Sequence, residues 1–187
     1  MIWIKNLAIE THGLKVHMDG ARLANALASL DCHPGDVTWR AGIDVLSFGA
    51  TKNGALAAEA VVFFDRSLAH DFQWRRKRSG HLLSKSRFVA AQLLAYIESD
   101  VWCRNARWAN SLAQQIATAA GPRLLHPVEA NEIFIRLAGH EAQALREAGF
   151  ELYDWGSRDS GEARLVVSWD QREEEVVALC QALARWT

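Results

Sequence analysis

Two short strand patterns, each running into a turn of small residues, constrain this chain more than any other feature. Leu14 to Asp19 alternates apolar and polar residues and stops at Gly20, and Asp44 to Phe48 is a second strand entering Gly49-Ala50-Thr51-Lys52-Asn53-Gly54. Between them Ala21 to Leu30 is rich in alanine and leucine, as a helix should be. A strand, a helix and a second strand predict adjacent strands joined by a crossover, and so an α/β sheet with helices laid over it. Ala60-Val61-Val62-Phe63-Phe64 reads as a third strand, apolar enough to be buried on both faces.

The rest of the chain has a different rhythm. Ile2 to Thr11 predicts a helix ended by His12-Gly13. Leu82 to about Ala120 is helical, with a break near Asp100 and a stop at Gly121-Pro122. Strands are expected at Glu132–Leu137, Phe150–Trp155 and Ala163–Trp169, with helices at His140–Ala148 and Glu173–Trp186. The division expected is residues 1–85 as part of a larger domain, 86–121 as a connecting helix, and 122–187 as a small α+β domain.

Composition narrows the class. Half of the 187 residues are hydrophobic and 23% are charged, which suits a packed chain and not a disordered one. A net charge of −1 gives no global field toward nucleic acid or an acidic membrane, and the run Arg75-Arg76-Lys77-Arg78 is too small an exception to change that. Cys32, Cys103 and Cys180 are odd in number, far apart and without metal-ligand spacing, so reduced thiols, no metal and a cytoplasmic setting are expected.

The chemistry concentrates where the first two strands end, the usual ligand-binding edge of an open α/β sheet. His17-Met18-Asp19-Gly20-Ala21-Arg22 places a carboxylate there, and Lys52 sits in a glycine-flanked loop 33 residues after Asp19. A lysine amine able to form a covalent bond to an aldehyde, paired with a carboxylate able to hold a proton on a pyridine nitrogen, is what a pyridoxal-phosphate (PLP) enzyme requires. Each residue also has a plainer reading. Asp19 could cap the following helix, Lys52 and Arg22 could be solvated, and His17 reads as a partly buried structural histidine.

His17-Met18-Asp19-Gly20-Ala21-Arg22-Leu23, followed by Asp44-Val45-Leu46-Ser47-Phe48-Gly49-Ala50-Thr51-Lys52-Asn53-Gly54, resembles the paired signatures of low-specificity L-threonine aldolases, which are fold-type I PLP enzymes. The likeness continues through Glu59–Phe64, Arg75–His81 and Ala163–Asp170, so it spans nearly the whole chain. The resemblance implies a PLP-dependent transferase-like fold, here its C-terminal part. It implies that Lys52 holds PLP covalently, that Asp19 faces the pyridine nitrogen, and that Arg22 and Arg164 bind the substrate α-carboxylate. The reaction implied is retro-aldol cleavage of threonine, allo-threonine and related β-hydroxy amino acids to glycine and an aldehyde, in a homodimer or homotetramer. The family's N-terminal half, which supplies the phosphate loop and the histidine over the ring, has no counterpart in these residues. Met1 would fall within a helix, as in a truncated frame, so weak PLP binding and no aldolase activity are expected of the isolated chain. A catalytically silent fragment is one alternative. Another fold-type I enzyme, a transaminase or β-eliminating lyase, is the other.

Overall fold

The computed structural model describes residues 12–157 and 159–186; the helix expected at Ile2–Thr11 lies outside the described residues. The chain divides into two compact units after Cys103. In the first unit β1 (His17–Gly20) leads into α1 (Leu23–Leu30) and the short α2 (Pro34–Val37), then β2 (Val45–Gly49) and β3 (Glu59–Phe63). Helices α3 (Phe72–Arg78) and α4 (Arg87–Glu98) follow, and α5 (Val101–Ala120) begins in this unit. The expected break is real: Asp100 adopts a left-handed φ of 55° between α4 and α5, a conformation in which a helix cannot continue.

The sheet order is β1-β2-β3. β1 and β2 are parallel with Asp19 opposite Ser47, while β3 runs antiparallel to β2 with Val61 opposite Ser47. One face packs on α1, where Leu23, Leu27, Val37 and Leu46 are buried and Met18, Phe48 and Val62 close around them. The other face carries His17, Asp19 and Val61, all exposed. The expectation that β3 is buried on both faces is therefore corrected: Val61 is 39% exposed, because α1 covers a single face of the sheet. β1 is also shorter than the alternation from Leu14 suggested. Lys15 is instead drawn to the Asp44 and Asp65 carboxylates at 3.2 and 3.0 Å.

The second unit contains β4 (Glu132–Arg136), α6 (Gly139–Glu147), β5 (Tyr153–Trp155), β6 (Glu162–Val166) and α7 (Glu173–Ala184). Its sheet is antiparallel, in the order β4-β6-β5. Period-two alternation decides its two faces. Ile133, Ile135, Ala163 and Leu165 point into a core with Leu112, Ile116, Leu145 and Leu183. Burying each large aliphatic side chain is worth about 1.5–3 kcal/mol. Ala106, Ala109, Ala113, Ala117 and Ala120 give α5 a flat buried stripe on which neighbours can pack closely.

One buried charge belongs to the entry of α6. Glu141 is 8% exposed; its Oε2 accepts the Ala138 N–H at 2.8 Å and its Oε1 accepts from Arg123 at 3.2 Å. Burial alone would push this carboxyl up, but the Ala138 amide and the Arg123 guanidinium outweigh it and hold it below the usual carboxylate range. No disulfide joins Cys32, Cys103 and Cys180. No described helix is long and apolar enough to cross a membrane.

Candidate active site

The parallel pairing of β1 and β2 brings the two singled-out motifs to one end of one sheet. Asp19 lies beside Ser47 in the register, and Lys52 follows β2 in a 3-10 turn, Thr51–Asn53. Asp19 and Lys52 are both exposed. The Asp19 Oδ1 accepts the Ala21 N–H at 3.0 Å, closing a turn two residues long. The position that caps α1 is instead Arg22, which makes no side-chain capping bond. The carboxylate is thus oriented by the turn and is not the cap of the helix.

His17 is exposed, not partly buried, and its Nε2 lies 2.8 Å from Ser47 Oγ. Both belong to the face that α1 leaves uncovered. Gly49 explains how the two turns come so near one another. A Cβ built there would stand 2.7 Å from Glu59 Oε2 and 3.0 Å from Ala21 Cα. Only a residue without a side chain lets the end of β2 lie against the turn after β1.

The anchor of the lysine turn was not singled out in the sequence. Asn53 is 3% exposed, and its Nδ2 donates to Tyr96 Oη at 2.5 Å and to the Trp102 carbonyl at 2.8 Å. Burial pushes the Tyr96 phenol up to about 12, against the lowering effect of the Asn53 bond, so the phenol stays neutral. Thr51 Oγ1 accepts the Ala58 N–H at 3.2 Å, and Gly54 closes the turn at φ 119°. The adjacent Lys52 is held by its neighbours while its own side chain meets solvent. The available signal was a polar residue in a loop of small ones, which buries well only with partners waiting for it.

Arg22 is half-buried at the start of α1. Arg164 belongs to the second unit, on the central strand β6, and donates from Nη2 to Glu132 Oε1 at 2.8 Å. Its guanidinium lies over the Trp155 and Tyr153 rings at 5.5 and 6.0 Å. The basic run Arg75–Arg78 forms the last turn of α3, where positive charge complements the helix dipole. Among the described residues no group of three or more His, Cys, Asp or Glu is placed to hold a metal.

Comparison with known proteins covers most of the chain. The beta-eliminating lyase family model matches residues 3–140. The low specificity L-threonine aldolase of a Pseudomonas species is 46% identical over 168 residues, covering 88% of this chain and 48% of that protein. The enzyme of the same name from Pseudomonas aeruginosa is 44% identical over 173 residues, covering 90% and 49%. The solved threonine aldolase of Leishmania major superposes with a TM-score of 0.86 at 26% identity, over 95% of this chain and 53% of that one. The chain spans about half the length of the relatives it matches.

Proposed function

Because the chain belongs to the beta-eliminating lyase family, we propose that it is the PLP-binding part of a lyase that cleaves threonine, allo-threonine and related β-hydroxy amino acids to glycine and an aldehyde. The observation that carries this reading is the placement of Asp19 and Lys52 at the carboxyl ends of neighbouring parallel strands. Its support from outside the chain is the identity to proteins named as threonine aldolases.

The residues present fit PLP by the chemistry of the donor set: an exposed amine, and an exposed carboxylate whose direction is fixed by the Ala21 amide. When bound, PLP supplies an electron sink for the pair left on the substrate α-carbon as the Cα–Cβ bond breaks. Lys52 binds the cofactor through its Nζ. Asp19 holds a proton on the pyridine nitrogen, since an adjacent carboxylate raises the pKa of a cationic acid by about 1–3 units. Arg22 and Arg164 receive the substrate carboxylate, a job for which a permanently charged, forked donor is suited.

The same proposal includes a homo-oligomer, a cytoplasmic setting, and the division into a cofactor-binding domain (1–85), a link (86–121) and a small domain (122–187). A second reading is that these 187 residues by themselves bind PLP weakly and do not turn over. Titrating PLP into the purified chain tests the core of the proposal. A visible band that borohydride fixes on Lys52, and that Lys52→Ala abolishes, is expected. Equal absorbance in Lys52→Ala would overturn it. Glycine and acetaldehyde from threonine would exclude the silent reading, and a keto acid would point to a transaminase.

A further inference from the structure

The sheet face that presents Arg164 also presents a rival for it. In the pairing register Arg164 stands between Phe134 of β4 and Tyr153 of β5. Trp155 packs on Phe134 with centroids 5.2 Å apart and on Tyr153 at 6.1 Å. The guanidinium lies over Trp155 and Tyr153, held there by cation–π attraction. Its Nε is buried and makes no hydrogen bond, so the Nη end is the part that an incoming ligand can reach. One of those two nitrogens already serves Glu132 Oε1 at 2.8 Å.

We propose that Glu132 is a built-in competitor for the carboxylate that Arg164 binds, and that it lowers the affinity of this position without being what holds the guanidinium in place. The inference rests on reading Arg164 as a carboxylate ligand. A carboxylate meets arginine best through two parallel N–H···O bonds. At the Nη end both nitrogens are needed, and taking Nη2 brings two carboxylates against one cation, where like charges repel. The ligand must either displace Glu132 or settle for a single bond, and each outcome weakens binding.

Exposure sets the scale of the effect. The Arg164 and Glu132 side chains are 25% and 30% exposed, open enough for exchange and sheltered enough for the competition to matter. The ring clamp stands apart from Glu132, because Phe134, Tyr153 and Trp155 also pack on one another. Neutralising the glutamate therefore removes the rival and leaves the guanidinium where it is.

Acetate is the probe, titrated into the full chain at constant ionic strength and followed through the Arg164 Nε–H resonance, which the neighbouring rings displace. Glycinamide, which lacks the carboxylate, is the control. Glu132→Gln is expected to tighten acetate binding about two- to fivefold, the scale of a partly exposed ion pair, with the ring-displaced resonance retained. Glu132→Ala moves affinity the same way, Glu132→Asp restores the wild-type value, and Trp155→Ala weakens binding and loses the displacement. If Glu132→Gln binds acetate no more tightly, or loses the displaced resonance, Glu132 is an anchor and the proposal is wrong, while Arg164 as a carboxylate ligand stands. If acetate perturbs Arg164 in neither wild type nor Glu132→Gln, the reading of Arg164 fails and the competitor fails with it.

Discussion

The Asn53 amide nitrogen lies 2.5 Å from the phenol oxygen of Tyr96, two residues brought together across 43 positions of sequence. That bond, with the second to the Trp102 carbonyl, ties the turn bearing Lys52 to the helices α4 and α5. A buried amide with two acceptors is costly to disturb, because whatever loses its partner keeps its desolvation cost. Tyr96→Phe is expected to destabilise the chain by about 1–2 kcal/mol, and Asn53→Ala by about 1–3 kcal/mol. Urea denaturation followed by far-UV dichroism measures both. An unchanged midpoint in Asn53→Ala would show that the turn does not depend on its anchor.

Gly49→Ala should act on both turns at once. The added methyl meets Glu59 Oε2, which can swing away, and the Ala21 backbone at 3.0 Å, which cannot move so cheaply. A loss of about 1–3 kcal/mol is expected, together with weaker PLP uptake. Thermal melts and PLP titration of the same sample report the two effects. Full stability and full uptake would mean that the contact between the turns is loose.

Asp19→Asn keeps the shape of the side chain and its capacity to accept the Ala21 N–H, but removes the charge. A hydrogen bond to a charged group is worth about 1.5–3 kcal/mol, so PLP affinity should fall at least tenfold with little change in melting temperature. Equal affinity in Asp19→Asn would remove Asp19 from the pyridine nitrogen.

Glu141 carries an acid-dependent part of the stability. Its carboxyl is held below the ordinary value of 4.5 in the folded chain, so the folded state binds fewer protons than the unfolded one near that pH. The contribution is complete above the unfolded value and is lost as pH falls through the lower, folded one. Glu141→Gln should cost about 1–3 kcal/mol at neutral pH, and its gap from wild type should narrow as the pH falls below 4.5. Denaturation midpoints at neutral and acid pH give the comparison, and a gap independent of pH would contradict the assignment.

What could be read in the sequence was whatever depends on neighbours along the chain. The crossover joining Asp19 to Lys52 followed from a strand-helix-strand pattern, and the break at Asp100 from a disruption in helical periodicity. Burial across the sheet was less legible. Val61 looks like a residue covered on both sides, yet its exposure depends on which elements lie over each face. His17 was misjudged for the same reason. Asn53, Glu132 and the ring clamp on Arg164 depend on partners 32 or more residues away, or on another strand, and no local pattern encodes such meetings. The roles of Asp19, Arg22, Lys52 and Arg164 came from resemblance, and they stand as proposals.

The strict in-and-out alternation of β6 makes the chain intolerant of one kind of genetic change there. Glu162, Arg164 and Val166 share the face opposite Ala163 and Leu165, so inserting or deleting a single codon inside the strand would turn the guanidinium into the oily interior and push leucine into water. A substitution on that side alters one residue at a time, whereas a slip in the register of the strand against its two neighbours alters every residue after it at once.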